Sequence, residues 1–129
     1  MSLFDFYEGK VIYIISANSF DAVITWGFKA TLRKRFHLSD LEYNANLTEE
    51  EIAKLREAKR KLSDLILNKK VILKVYPTNV DEKYLADVYL NPVGIPDAEI
   101  ALEKTIAGEF VNVKSYLIKK GYLKSWTIS

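Results

Sequence analysis

Five short β-rich runs, an amphipathic helix between the third and fourth, and a second helix near the C-terminus predict an α+β (mainly β) chain. The order of three strands, a helix, two strands and a helix is that of a five-stranded OB-fold barrel, in which a twisted sheet closes on itself around a capping helix. The length of 129 residues suits one domain over 1–129, large enough to bury its own core without staples.

The first strand is the apolar, β-branched run VIYII at 11–15, opened by Gly9. Ser16, Ala17, Asn18 and Ser19 form a turn cluster, 20–26 is the second strand, and Gly27 marks the next turn. The third strand, 29–38, sets Ala30, Leu32, Lys34 and Phe36 against Lys29, Thr31, Arg33 and Arg35, with Lys34 the exception on the more apolar face. After a loop at 43–47, Thr48 and Glu51 have the spacing of a capping box, and Leu47 and Ile52 that of a hydrophobic staple. Glu49, Glu50 and Glu51 occupy the first turn, where the helix dipole favours negative charge. Ile52, Leu55, Leu62, Leu65 and Ile66 recur at helical spacing, and the helix should end near Asn68.

The fourth strand, 71–76, is stopped by Pro77. The fifth, 84–90, has Leu85, Ala86, Val88 and Leu90 as inward candidates. Residues 91–96 are an irregular connection, and 97–107 read either as a short helix behind Pro96 or as a strand. The last helix is predicted over 111–119, with Val113, Tyr116 and Leu117 inward and Gly121 as its stop.

Hydrophobic residues at 49% and charged residues at 28% are globular rather than disordered composition. The absence of cysteine excludes disulfides, zinc-thiolate sites and cysteine catalysis. His37 alone cannot make a multi-histidine metal site and reads as a strand residue, so any metal must be held by oxygen ligands, which favours Ca²⁺ or Mg²⁺. No apolar run reaches the ~20 residues of a membrane span. The start, MSLFDFYEGK, lacks the basic-then-apolar pattern of a signal peptide, so a cytoplasmic location is expected.

The formal net charge is only +2, but cations cluster at Lys29, Arg33, Lys34 and Arg35, and again at Lys114, Lys119, Lys120 and Lys124. Each cluster reads as a solvated face or as a phosphate-facing groove. Trp26, Tyr43, Tyr84 and Trp126 read as core or rim residues rather than base-stacking platforms.

Four stretches carry a family resemblance: SFDAV at 19–23, RFHLSDLE at 35–42, KYLADVY at 83–89 and FVNVKSYLIKKGYL at 110–123. In order and in residue type they resemble the staphylococcal-nuclease (thermonuclease) family, whose pattern runs DGDT, RLxGIDTPE, YGRxLAxV and VNxxLVxxGxA. The resemblance implies that Asp21 and Asp40 bind Ca²⁺. It implies that Arg35 holds the scissile phosphate, that Glu42 is the general base, and that Lys83 stabilises the transition state. An alternative alignment brings Asn18, Lys34 and Ser39 to some of these places. The Asp21–Arg35–Asp40 alignment keeps three residue types without a gap.

The sequence departs from the family at three points. Lys83 stands where the family has arginine, Asp40 and Glu42 are separated by one residue rather than two, and residues 91–108 replace a short turn. A guanidinium grips two phosphate oxygens in a fork that lysine cannot reproduce. The resemblance therefore implies a nucleic-acid-binding domain with calcium-dependent endonuclease activity on DNA or RNA. The alternative is a barrel that has lost catalysis and binds single-stranded nucleic acid or a protein partner. A protein contact at 91–108, extending to a structural role in a larger assembly, is a further expectation.

Overall fold

The computed structural model describes residues 5–26, 30–38, 47–76 and 84–123. Strand β1 (Asp5–Ser16) turns through Ala17 and Asn18 into β2 (Ser19–Trp26), which pairs antiparallel with β3 (Ala30–Leu38). Helix α1 (Glu49–Ile66) leads into β4 (Lys70–Tyr76), which pairs antiparallel with both β1 and β5 (Tyr84–Leu90). A parallel pairing of 36–38 on β3 with 84–86 on β5 closes the ring. The result is a five-stranded mixed barrel of OB type, as the order of elements predicts.

The barrel interior holds Val11, Phe20, Phe36, Leu38, Leu73 and Val88, all under 2% exposed. Phe20 and Phe36 stack across β2 and β3 with ring centroids 5.8 Å apart. Gly9 allows β1 and β2 to approach closely, since a Cβ there would meet the Val23 carbonyl oxygen and the Ile24 side chain at 3.2 Å.

Helix α1 lays Ala58, Leu62 and Ile66 into the core, with Leu55 and Leu65 half-buried and Ile52 left 39% exposed. Its buried stripe thus runs through Ala58 and does not extend to Ile52. The Thr48–Glu51 capping box is formed in both directions. Asn68, with φ 63°, turns the chain out of the helix and donates its N–H to the Val11 carbonyl at 2.8 Å. That bond ties the helix end to β1.

The ambiguous stretch 97–107 takes up both readings at once: a 3₁₀ turn over Ala98–Ala101, then β6 (Leu102–Thr105) hairpinned onto β7 (Gly108–Asn112). Strand β7 pairs with the second half of β5, on the edge whose first half pairs with β3. Val111 and Asn112 therefore end a strand, and helix α2 is shorter than predicted, Val113–Lys119. Asn112 caps it by accepting the Ser115 N–H. Gly121, at φ 85°, ends it in a Schellman motif: the Tyr122 N–H bonds the Leu117 carbonyl and the Gly121 N–H bonds that of Ile118. Among the described residues no helix is long and apolar enough to cross a membrane.

Candidate nucleic-acid interface

Alternation along β2 and β3 sends Phe20, Ala22, Ile24, Phe36 and Leu38 inward, so Asp21, Arg33 and Arg35 stand on the outer face. Asp21 sits directly across from Arg35 on one side and from Tyr13 on the other. Its carboxylate is gripped by both arginines: Arg33 Nη2 donates to Oδ2 at 3.1 Å and Arg35 Nε to Oδ1 at 3.0 Å. The arginine side chains are 63% and 59% exposed, yet they lie over Asp21 so fully that only 6% of it reaches solvent. Burial pushes the Asp21 carboxyl up. Hydrogen bonds and charge from Arg35 and Arg33 outweigh that and hold it below the ordinary carboxylate range.

This geometry corrects the calcium expectation. Both Asp21 oxygens are occupied by guanidinium groups, and among the described residues no group of three or more histidine, aspartate or glutamate side chains could hold a metal ion. A calcium ion wants six or more oxygen ligands. The Ca²⁺ cofactor is therefore withdrawn, and with it the calcium-dependent nuclease or hydrolase activity that depended on the ion. Arg35 is bound to Asp21 through its Nε, and its side chain is 59% exposed. Asp40, Glu42 and Lys83 lie outside the described residues, so of the expected site residues the structure brings together Asp21 and Arg35 alone.

A bulge builds the second part of the face. β1 carries one extra residue at Ile12, between the Val11–Ala22 and Tyr13–Asp21 pairs. The extra residue reverses the alternation, so Tyr13 points outward, 56% exposed, and Ile14 returns to the core. Beside Tyr13, helix α1 presents Arg56, Lys59 and Arg60 at the i, i+3, i+4 spacing that places them on one side. Between helix and strand runs a groove of about 430 Å³, lined by these three cations, by Tyr13 and by Ser63 and Asn68. None of the three cations is ion-paired among the described residues. The basic surface thus continues from Arg56, Lys59 and Arg60 past an exposed aromatic ring to Arg33 and Arg35.

The two cation clusters seen in the sequence separate in the structure. Arg33 and Arg35 stay on the open face. Lys34 turns to the barrel rim, its ammonium 5.7 Å from the centre of the Tyr84 ring, which also packs on Phe36. Lys29 lies outside the described residues. The C-terminal lysines are spent on structure: Lys114 pairs with Asp87 at 3.2 Å, Lys119 donates to the Ile100 carbonyl, and Lys120 pairs with Asp97. Lys124 lies outside the described residues. Sequence reasoning passed over Tyr13 and the α1 cations. Tyr13 is hidden in an apolar run whose bulge has no local signature, and the only trace of the cations is the RxxKR spacing at 56–60.

No protein-family model, curated protein or solved structure matches the chain.

Proposed function

We propose that this domain is a binding module for single-stranded nucleic acid, using the outer face of β1, β2 and β3 with the adjoining groove of α1. The observation that carries this reading is the set of cations Arg56, Lys59 and Arg60, without an ion pair among the described residues, around the exposed Tyr13 ring. Single strands are held by positive grooves that track the phosphates and by aromatic rings on which bases stack. The Asp21 carboxylate supports this arrangement by fixing Arg33 and Arg35 with donors free to fork onto phosphate oxygens. A divergent kinship with the staphylococcal-nuclease family fits the same reading, through the order of elements and the SFDAV and VNVKSYL remnants.

Fluorescence anisotropy with labelled single-stranded DNA and RNA tests the proposal. Tyr13→Ala should weaken binding by ~1–3 kcal/mol, the usual worth of one stacked base. Arg56→Gln with Lys59→Gln should weaken it further and equally for all sequences, because phosphate contacts carry no sequence information. Binding that ignores both changes would refute the assignment of this face. A protein contact on 91–108 has one observation in its favour, the exposure of Val93 (85%) and Ile106 (68%). Val93→Ser with Ile106→Ser would abolish such a contact and leave nucleic-acid binding unchanged.

A further inference from the structure

On the other side of the β1 bulge, the β6–β7 hairpin faces the outer surface of β1, β2 and β4 and leaves a cleft of about 670 Å³. That volume is within the ~300–1,000 Å³ of small-molecule sites. Its floor is apolar, formed by Ile12, Val23 and Ile72, and the Phe110 ring of the hairpin is its opposite wall. Lys10 and Lys70 also line it, and they are directly opposed residues of the antiparallel β1–β4 pair. Directly opposed side chains on one face lie ~5 Å apart at Cβ, and like charges so placed repel. Glu8, two residues from Lys10 on the same face, lines the cleft as well. Neither lysine is ion-paired with Glu8 or with any other described residue. Three open charges and an aromatic wall therefore surround one apolar floor.

We infer that this cleft binds a nucleoside monophosphate. The phosphate dianion sits between Lys10 and Lys70 and relieves their repulsion. The flat base lies between Phe110 and the apolar floor, and the Glu8 carboxylate accepts a hydrogen bond from an exocyclic amino group of the base. Two lysines match a dianion better than the single carboxylate of a fatty acid or amino acid. Glu8 favours adenine and cytosine, which offer an amino donor, over uracil and thymine. The nucleotide is either free or the phosphorylated end of a strand lying in the neighbouring groove, since Ile12 lines both cavities. The free-nucleotide case stands apart from the proposed function, whereas the strand-end case rests on it.

The test is amide and aromatic NMR titration of the whole chain with AMP, CMP and UMP, and with oligonucleotides carrying a 5′-phosphate or a 5′-hydroxyl. The expected result is saturable shifts at Phe110, Lys10 and Lys70, with AMP and CMP tighter than UMP. Lys10→Gln with Lys70→Gln should raise the AMP dissociation constant about tenfold or more. Both lysines are exposed, so the pair of changes leaves the fold intact. Glu8→Gln should erase the preference over UMP. Arg56→Gln with Lys59→Gln should leave AMP binding unchanged, which separates this site from the groove of α1. Preference for the 5′-phosphorylated oligonucleotide would identify the strand end as the source, and equal binding of both would identify the free nucleotide. The inference is overturned if neither the mononucleotides nor the 5′-phosphorylated strand shifts Phe110. It is overturned equally if ribose 5-phosphate or decanoate binds as tightly as AMP.

Discussion

Asp21 and Asp87 are two carboxylates of nearly equal burial, 6% and 7% exposed, and their removal should have very different consequences. Asp21→Ala releases Arg33 and Arg35, whose side chains are 63% and 59% exposed and can be rehydrated where they stand. Exposed ion pairs contribute ~0.2–1 kcal/mol each, so the loss of two should be ~0.4–2 kcal/mol. Asp87→Ala removes the ion pair of Lys114, whose side chain is only 14% exposed, and also the 2.8 Å acceptor of the Tyr76 hydroxyl. Breaking a buried ion pair by removing one partner costs ~3–5 kcal/mol. The difference between the variants is then ~1–5 kcal/mol, and with a urea slope of ~2 kcal/mol per molar the Asp87→Ala midpoint should lie roughly 0.5–2 M below that of Asp21→Ala. Urea denaturation followed by tryptophan fluorescence measures this directly. Equal midpoints, or a less stable Asp21→Ala, would refute the premise that partner exposure decides what each carboxylate is worth.

Gly121→Ala should destabilise by ~1 kcal/mol through its left-handed backbone alone, because no atom lies within 4 Å of the added Cβ; thermal unfolding reads this as a small drop in Tm. Alkaline pH acts on Tyr89, whose phenol is pushed up to about 12 by burial and by the nearby Asp87 and Glu103 charges. The folded state holds this proton after the unfolded chain has released it near pH 10. The associated stability is therefore complete below pH 10 and lost as pH rises through 12, and Tyr89→Phe should flatten that fall. Asp21 gives the opposite limb: its lowered carboxyl supplies stability above pH ~4 that disappears on acidification. Asp21→Asn should remove that part of the acid dependence in urea melts at graded pH.

The barrel was legible because its signals are local. A capping box opens α1, Gly121 closes α2, and alternating residues mark the inward faces of β2 and β5. Strand β1 runs from Asp5, well before its apolar stretch, through pairing with β4, and the outward-facing Glu8 and Lys10 interrupt the apolar pattern there. Tyr13 points outward because of a single extra residue at Ile12, a feature that only pairing with β2 creates. The hairpin at 102–112 was only partly readable for a similar reason: its first strand was one of two readings of 97–107, and β7 is fixed by β5, about twenty residues earlier in sequence. The site was half visible. Asp21 and Arg35 were read as site residues and Arg33 as part of a cation cluster, but cross-strand pairing turned the expected metal ligand into a support for the two arginines.

The claim that these arginines and the α1 groove together hold a strand of nucleic acid is tested most directly by the salt dependence of binding. Each phosphate contact to a single strand contributes about 0.7 to the slope of log K against log salt. Arg33, Arg35, Arg56, Lys59 and Arg60 acting together should give a slope of about −3.5, so a fourfold rise in salt weakens binding about a hundredfold. Replacing Arg56, Lys59 and Arg60 by glutamine should bring the slope to about −1.4. A slope near zero, or one that the three replacements leave unchanged, would contradict the account.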